Sequence, residues 1–418
     1  MLKADINKRL TSVGPGTPMG NLLRCYWQPI AAVEDMRSRS VRRVRVLGEN
    51  LVLFKDGGGG YGLIAERCPH RGASLAYGIP EPDGLRCPYH GWKFSASGAC
   101  LEQPAEPEDS TFRERITARA YPVRELGGLL FAYMGLDPVP VLPPFDLYVW
   151  PDSIRQVGWT LLPVNWLQIM ENSLDPVHLE WLHGYFGDYV FAQKGEPVTS
   201  GIAQRHLRIG FDLFEYGVIK RRVVEGRTED DEEWRVGHPV VFPNILRVGR
   251  AGVYGFQIRV PVDDTHTMIW WYSCFRPQGV EIPQQESIPV FEVPYKDADG
   301  ELILDTVEGQ DMMAWVTQGD IFDRTDEHLG TSDKGVIMYR QLLQSEMAKV
   351  EDGKDPLGVL REPPADGIVE LPQEEHLYYR SAESVRQDVL RGPTMRYSPI
   401  SEQIADLFAL AAEQTADR

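Results

Sequence analysis

The sequence predicts an α+β protein with an all-β part first, followed by an antiparallel sheet flanked by helices. Three observations predict this fold class. Short β-branched and aromatic runs, separated by turn residues, fill roughly the first 140 residues. A proline-rich segment, MGLDPVPVLPPFDLYVWPD, then interrupts regular structure. Beyond it, strand-like runs follow a helical pattern without the strict alternation of a parallel α/β protein. We therefore predict two domains, over 1–145 and 146–418.

The strand signals of the first part lead into two loops that carry cysteine. VRRVRVLGENLVLFKDGGGGYGLIAERC contains several short strand-like runs, divided by GEN and by KDGGGG. YGLIAERC and GLRCPYHGWKF each continue from a strand signal into a cysteine-bearing loop. YPVRELGGLLFAYMG then predicts a hairpin whose turn lies at the two adjacent glycines.

The second part begins with a helical pattern in NWLQIMENSLDPVHLEWLHGYF. The strand-like runs that follow are HLRIGFDLFEYGVIKRRVV, VVFPNILRVG, VYGFQIRVPV and HTMIWWYSCFRP. After Asp333, the apolar positions of GVIMYRQLLQSEMAKVEDG have helical spacing, and we expect this helix to end near Gly353. SEQIADLFALAAEQTADR predicts a shorter closing helix.

Composition argues against several classes of protein. The 418 residues carry a net charge of −18, which argues against binding to nucleic acid or to an anionic membrane surface. No run of 18 apolar residues is present, so we expect no membrane span, and the N-terminus lacks a secretory signal. Five cysteines in so long a chain do not resemble a disulfide framework. We expect a reducing, cytoplasmic location, in which thiolates remain available to bind metal.

The strongest chemical signal is a pair of loops in which cysteine precedes histidine. Cys68-Pro-His70 is followed, after sixteen residues, by Cys87-Pro-Tyr-His90. Two thiolates and two imidazoles suit zinc or an iron–sulfur cluster equally well as donors. Each loop also contains a stiffening proline and a nearby glycine, and the shared order would let one iron take both thiolates. These features favour a cluster, and a structural zinc site is the alternative.

A second set of candidate metal ligands lies at the end of the first helical pattern. His178 and His183 are five residues apart, about 140° around an ideal α-helix, so a regular helix would separate their side chains. We therefore expect a break before Pro176 and a loosened helix around Trp181–His183. Two histidines with one carboxylate bind non-haem iron and leave positions open for oxygen. Taken alone, the same residues also fit a structural role.

The third ligand would have to come from far along the chain. The candidate carboxylates in TQGDIFDRTDEHLGTSDKGVIMYRQLL are Asp320, Asp323, Asp326, Glu327 and Asp333. Asp333 stands at the start of the amphipathic helix, from which a side chain can be directed into a core site. The alternative is that Asp333 only stabilises the N-terminus of that helix.

Together these motifs resemble the Rieske non-haem iron aromatic-ring-hydroxylating oxygenases. CPHRGASL and CPYHGWKF look like the cluster-binding signature of that family. The resemblance implies that Cys68 and Cys87 hold one iron of a [2Fe-2S] cluster, and that His70 and His90 hold the other. It also implies an N-terminal Rieske domain and a catalytic domain of the helix-grip, START-like type.

The run from Glu171 to His183 resembles the mononuclear-iron motif of the same family. DRTDEHLGTSDKGVI resembles the distal segment of the branch that contains phthalate dioxygenase and aromatic O-demethylases. The resemblance implies that His178, His183 and Asp333 hold Fe(II), whereas Glu171 and its neighbour Asn172 have no ligand role. Asp175 would join a cluster histidine of a neighbouring subunit to one of the iron ligands through hydrogen bonds.

The resemblance further implies a reaction and its partners. The chain would be the oxygenase component that activates O2 at Fe(II), with electrons that come ultimately from NAD(P)H. A separate flavin and iron–sulfur reductase, or a ferredoxin, would deliver these electrons. The chain would form a head-to-tail homotrimer or a dimer of trimers.

The motifs leave the substrate open, because ring hydroxylases and O-demethylases share them. A cationic set in the strand-like runs comprises Lys220, Arg221, Arg222, Arg247 and Arg250, of which Arg222 and Arg247 are our candidates for binding a substrate carboxylate. A solvated strand face is the alternative. We expect an aromatic carboxylate, ring-hydroxylated or demethylated as a lignin-derived methoxy acid.

Two other classes of protein fit part of the pattern. A Rieske electron carrier would hold the cluster but no metal at His178, His183 and Asp333. A structural zinc protein would lack the visible absorption of an iron–sulfur cluster.

Overall fold

The computed structural model describes residues 2–195, 202–374, 382–392 and 394–416. The side chain of Arg250 lies outside the described part of the chain. As predicted, short strands dominate the N-terminal part, and longer strands with helices form the rest. No helix within the described ranges has the length and apolar character needed to cross a membrane.

The strands alternate with short turns in the first part and are longest in the second. They are β1 (Gln28–Ala32), β2 (Val41–Val46), β3 (Glu49–Lys55), β4 (Tyr61–Ala65), β5 (Ile79–Glu81), β6 (Gly84–Arg86), β7 (Lys93–Phe94), β8 (Cys100–Glu102), β9 (Ala120–Tyr121), β10 (Val123–Leu126), β11 (Leu129–Ala132), β12 (Ile154–Leu162), β13 (His206–Phe214), β14 (Gly217–Val224), β15 (His238–Val241), β16 (Ile245–Arg250), β17 (Val253–Asp263), β18 (His266–Phe275) and β19 (Val290–Glu292).

The helices lie at the N-terminus and throughout the second part. They are α1 (Ala4–Thr11), α2 (Pro18–Arg24), α3 (Asp146–Val149), α4 (Trp166–Ser173), α5 (Gly187–Gln193), α6 (Glu232–Arg235), α7 (Val307–Val316), α8 (Lys334–Glu351), α9 (Ala382–Leu390) and α10 (Ser401–Ala416), with a π-helix over Leu179–Phe186. Both predicted closing helices, α8 and α10, are confirmed.

Three small antiparallel sheets build the first part, with strand orders β1-β11-β10, β2-β3-β4-β9 and β5-β6-β7-β8. The loop with Cys68 follows β4, and the loop with Cys87 joins β6 to β7. Ile64, Leu85 and Phe94 belong to one hydrophobic cluster that also contains both cysteines. The two loops therefore start from a shared core, which fixes their relative position.

Within the described residues, the second part contains an eight-stranded sheet in the order β13-β14-β15-β16-β17-β18-β12-β19. All neighbouring strands are antiparallel except the edge strand β19, which pairs in parallel with β12. Helix α4 packs on β17 and on α8, so helices cover the sheet as expected. The α+β prediction is confirmed.

The largest hydrophobic core crosses the predicted domain boundary. Leu23, Leu130, Tyr148 and Phe256 belong to this one cluster, although the first two precede residue 145 and the last two follow it. The division of the chain into two domains at residue 145 stays a prediction, because this one core contains residues from both sides of that boundary.

A buried ion network holds α4 in place. The Glu171 carboxylate accepts hydrogen bonds from Arg324 at 2.7, 3.0 and 3.1 Å and from Arg340 at 2.6 Å. Arg340 also donates to Glu327 at 3.0 Å. Arg324 is completely buried and Arg340 nearly so. Because α4 leads directly into the predicted iron motif, this network fixes the start of that motif.

Replacing Glu171 by Gln should lower the free energy of unfolding by roughly 3–5 kcal/mol, because it leaves the buried Arg324 guanidinium without its carboxylate. Thermal unfolding followed by circular dichroism measures this. Glu229→Gln, at the exposed Arg208–Glu229 ion pair, is the matched control and should change stability by less than about 1 kcal/mol. Equal effects of the two substitutions would contradict a stabilising role for the network.

Candidate metal sites

The two cysteine-bearing loops have the same backbone construction. The Cys68 amide donates to the Ala73 carbonyl, and the Cys87 amide donates to the Trp92 carbonyl, both at 2.8 Å. In each loop the glycine four residues after the cysteine donates back to the cysteine carbonyl. Gly72 and Gly91 share a φ of 73°, a left-handed conformation that glycine adopts without strain. The two loops therefore present their cysteine and histidine side chains from matching turns.

The four side chains of these loops converge without bonding to one another covalently. Both thiols are free and buried, and the imidazole rings of His70 and His90 lie 4.5 Å apart between centroids. His70 stacks on Trp92 at 4.4 Å, and the buried Nδ1 of His90 has no hydrogen-bond partner among the described residues. A buried nitrogen with no partner is costly unless a ligand is bound there.

The spacing of the four donors argues against a single zinc ion. Zinc–ligand bonds of about 2.0–2.3 Å in a tetrahedron place donor atoms roughly 3.5 Å apart. Among the described residues, the groups that bring three donor atoms within 4.8 Å of one another do not include these four side chains. Burial raises the pKa of the Cys68 thiol to about 11, so this cysteine favours the protonated form unless a metal takes the thiolate. The donors fit a larger group, such as a two-iron cluster.

The segment that carries His178 and His183, predicted to bind iron, begins where α4 ends. Helix α4 stops at Ser173, Leu174 lies outside helical geometry, and the backbone then continues into the π-helix over Leu179–Phe186. A π-helix has hydrogen bonds between residues five apart, which brings such residues close to one face. The predicted break before Pro176 is confirmed, and the predicted loosening takes the form of this π-helix. His178 and His183 thereby come to 5.2 Å between ring centroids.

The carboxylate that meets these histidines is Asp311, in the middle of α7. Its Oδ1 lies 3.3 Å from His183 Nε2 and 3.8 Å from His178 Nε2. Donor atoms of these three residues lie within 4.8 Å of one another, and all three side chains are largely buried. Asn172 donates to the same oxygen at 3.3 Å. Two imidazoles and one carboxylate are the donor types that bind non-haem Fe(II), so this group could hold a metal ion.

Hydrogen bonds fix which nitrogen of each histidine faces the carboxylate. His178 Nδ1 donates to the Asp175 carbonyl at 2.6 Å, and His183 Nδ1 donates to Gln310 Oε1 at 2.9 Å. The Gln310 amide nitrogen donates to the Leu304 carbonyl at 3.0 Å, so its oxygen is the atom that faces His183. Because Nδ1 carries the proton in both rings, the Nε2 lone pairs remain free to bind a metal.

The electrostatics of the three residues agree with a cation site. Burial lowers the pKa of His178 to about 3. Burial works to raise the pKa of Asp311, but His183 and His178 hold it below its usual value. Burial works to lower the pKa of His183, but Asp311 and Gln310 raise it above its usual value. The carboxylate is thus anionic and His178 neutral at physiological pH, and a bound divalent ion would compete with a proton at His183.

Asp333, the predicted third ligand, does not join this group; Asp311 lies there instead. The Asp333 Oδ2 accepts the Gly330 amide at 2.6 Å and so caps the 3₁₀ turn Thr331–Asp333 that directly precedes α8. Asp333 therefore stands at the N-terminus of α8, as in the alternative role considered for it. Burial, with a smaller contribution from Asp333, raises the pKa of the Asp175 carboxyl. Among the described residues, Asp333 is not in the donor group that contains the two histidines. Of the other candidates, Glu327 binds Arg340, and Asp320, Asp323 and Asp326 are exposed.

Asp175 contacts His178 through its backbone rather than through its carboxylate. Its Oδ1 accepts the Val177 amide at 2.8 Å, and its Oδ2 lies 3.8 Å from His178 Nδ1. Burial raises the pKa of the Asp175 carboxyl. The side chain is 29% exposed, so part of the carboxylate is accessible from outside the chain.

A cavity of about 230 Å³ opens beside the histidines and Asp311. Leu179, Leu246, Val248 and Val307 line it as apolar walls, and Lys220, Arg222 and Arg247 supply cations. Both predicted carboxylate-binding arginines line this cavity, but each already has an acidic partner. Arg222 pairs with Glu233 at 2.8 Å, and Arg247 pairs with the buried Asp146 at 3.0 Å. Arg221 faces away and binds Asp212.

The roles of Asp311 and Gln310 were not predicted from the sequence. Nor was the lack of an ionic partner for Lys220 among the described residues. A signal for Asp311 existed in VEGQDMMAWV, where an aspartate interrupts an apolar helix that carries no other charge after Glu308. Aspartate is a weak helix former, so its presence inside an apolar helix indicates a special role. The pattern gave no signal for Gln310, because its role depends on its contact with His183.

Two protein-family models match parts of the chain. Residues 26–122 match the Rieske [2Fe-2S] domain, and residues 302–371 match the domain described as LigXa C-terminal domain like. The first match contains Cys68, His70, Cys87 and His90, and the second contains both Asp311 and Asp333.

Two curated relatives cover most of the chain. The 5,5'-dehydrodivanillate O-demethylase oxygenase subunit of Sphingobium sp. (strain NBRC 103272 / SYK-6) is 44% identical over 89% of this chain and 87% of its own length. The phenoxybenzoate dioxygenase subunit alpha of Ectopseudomonas oleovorans is 34% identical over 84% of this chain and 87% of its own. Among solved structures, NdmA of Pseudomonas putida CBB5 matches with a TM-score of 0.59 at 20% identity, over 80% of this chain and 94% of its own.

Replacing Asp311 by Ala should weaken divalent-metal binding at His178 and His183 by at least about 100-fold, because removal even of a group that only orients a ligand costs about 10–100-fold. Anaerobic titration with Co(II), followed by its visible absorption, measures the affinity of this site. Asp333→Ala is the matched control and should leave the affinity unchanged. The reverse pattern would return the ligand role to Asp333.

Proposed function

The chain belongs to the oxygenase components of the Rieske non-haem iron oxygenases, and on that premise we propose that it demethylates a methoxy-substituted aromatic acid. The observation that carries this proposal is the 44% identity, over 89% of the chain, to an O-demethylase oxygenase subunit. Ring hydroxylation of an aromatic acid is the second candidate, favoured by the 34% identity to phenoxybenzoate dioxygenase subunit alpha.

The reaction we propose converts a methyl ether, dioxygen, two electrons and two protons into a phenol, formaldehyde and water. One oxygen atom enters the methyl group, whose C–O bond to the ring oxygen then breaks to release formaldehyde. The second oxygen atom leaves as water. When bound, the mononuclear Fe(II) supplies the centre at which O2 is activated, and the [2Fe-2S] cluster supplies single electrons.

Residues of this chain would hold and shape that centre. His178, His183 and Asp311 offer three donors, which leaves other positions of a metal open. The Asp175 carbonyl and Gln310 fix the ring orientations through the Nδ1 protons. Leu179, Leu246, Val248 and Val307 would exclude water beside the reacting methoxy group, and this protects reactive species from side reactions.

We also propose partners that the chain itself does not contain. Electrons would come from NAD(P)H through a separate flavin and iron–sulfur reductase, since the curated O-demethylase relative is the oxygenase subunit of a system with several components. The accessible edge of the Asp175 carboxylate would meet a cluster histidine of a neighbouring subunit in a head-to-tail homotrimer or a dimer of trimers. This contact would link one subunit's cluster to the next subunit's His178.

Turnover with a reductase, NADH and 5,5'-dehydrodivanillate tests the proposed reaction. We expect one formaldehyde for each O2 consumed and a product that has lost a methyl group. A product that keeps its methoxy groups and gains hydroxyls would favour ring hydroxylation. If iron analysis gives only two irons per chain and no aromatic methoxy acid gives a product, the chain would act as an electron carrier.

Replacing Asp175 by Ala should abolish turnover while leaving the visible spectrum of the cluster unchanged, because the carboxylate would carry the link between subunits. The measurement pairs steady-state oxygen uptake with absorption spectroscopy of the oxidised protein. Asp212→Ala, on the exposed Arg221 ion pair, is the control and should keep full activity. Retained activity in the Asp175 variant would contradict the proposed electron route.

A further inference from the structure

Lys220 is a buried cation that points into the cavity beside the candidate iron ligands. It lies on β14, is 7% exposed, and lines the same cavity as His178, His183 and Asp311. Side chains alternate between the two faces of a strand. Lys220 and Arg222 therefore share the cavity face, whereas Arg221 between them faces away and binds Asp212.

Unlike the other cations of this cavity, Lys220 has no ionic partner in the part of the chain that the structure describes. Arg222 pairs with Glu233, and Arg247 pairs with Asp146. His238, directly opposite Lys220 on β15, lies 3.0 Å from Glu374. In the described ranges of the chain, no hydrogen bond or ion pair of the Lys220 ammonium is found. Among these groups, Lys220 is therefore the one whose charge is left for a ligand.

The groups around Lys220 leave the positive charge of its ammonium only partly balanced. Burial and the nearby Arg222 lower its pKa to about 8, while Asp175 and Asp311 act in the opposite direction. Neither carboxylate forms an ion pair with it, and a metal held by Asp311 would draw on that carboxylate's charge. A buried charge without a partner is unfavourable, so an anion bound here would gain from pairing with it.

We propose that Lys220, rather than Arg222 or Arg247, binds the carboxylate of the aromatic acid and so sets the position of its methoxy group. This inference rests on the proposed function, because the cavity is taken to hold the substrate beside the metal. A carboxylate suits the site because it is already ionised at neutral pH and needs no proton transfer within the cavity. Lys220 is thus a specificity-determining residue of the site.

Binding of an acid and of its neutral ester isolates the contribution of this charge. The probes are 5,5'-dehydrodivanillate, compared with its dimethyl ester, and 3,4-dimethoxybenzoate, compared with its methyl ester. Anaerobic calorimetry with the iron-loaded protein gives the dissociation constants. The wild type should bind each acid at least about tenfold more tightly than its ester. Lys220→Met should bind acid and ester with equal affinity, and Lys220→Arg should keep part of the preference. Lys354→Met, at an exposed lysine outside the cavity, is the matched control.

The thermal stability of the variants separates this role from a structural one. Removal of an unpaired buried charge should leave the melting temperature of Lys220→Met unchanged or higher. A lower melting temperature with an unchanged preference for the acid would make Lys220 a structural partner of Asp175 or Asp311 and overturn the proposal. A wild type that binds acid and ester equally, or does not bind the acids, would also overturn it. The proposed reaction fails separately, if the wild type binds the acids but releases no formaldehyde.

Discussion

The candidate iron site depends on two hydrogen bonds that fix the rings of His178 and His183. In each ring Nδ1 donates to an oxygen, of the Asp175 backbone in one case and of Gln310 in the other, so Nε2 faces Asp311. On a regular α-helix that continued from α4, the two histidines would point in different directions and could not both face Asp311. The break after α4 and the π-helix that follows are therefore the backbone conditions for a three-donor site.

The same segment of the chain contributes both to the stability of the fold and to the candidate metal site. Glu171 anchors the end of α4 to two buried arginines, and four residues later Asp175 begins the turn that carries His178. The cations of the cavity beside the site are also mostly paired, since acids already neutralise Arg222 and Arg247. Only a fully paired network can be buried without large cost, and this leaves Lys220 as the cation that a substrate would neutralise.

Local patterns were enough to predict the fold class, the two cluster loops and the distortion at His178 and His183. Each of these depends on residues close together in sequence: a Cys-Pro-His run, a histidine spacing of five, and a proline at a helix start. Asp311 was missed because its role depends on how α7 packs against the π-helix, and Asp333 offered a more conspicuous local position at a helix start. Arg222 and Arg247 were identified by charge alone, whereas their acidic partners lie 11 and 101 residues away. Long-range pairing of this kind leaves no periodic signal in one sequence.

We propose that each chain holds both an electron store and a metal centre, with Asp311 completing that centre. A single-turnover experiment tests it most directly: the protein is reduced chemically, freed of reductant, and mixed with oxygen and a methoxy-substituted aromatic acid. Formaldehyde should form in the wild type as the spectrum of the reduced cluster disappears. Asp311→Ala should form none, although its cluster is reduced equally well. Equal formaldehyde from both proteins, or none from a wild type that contains three irons per chain, would contradict it.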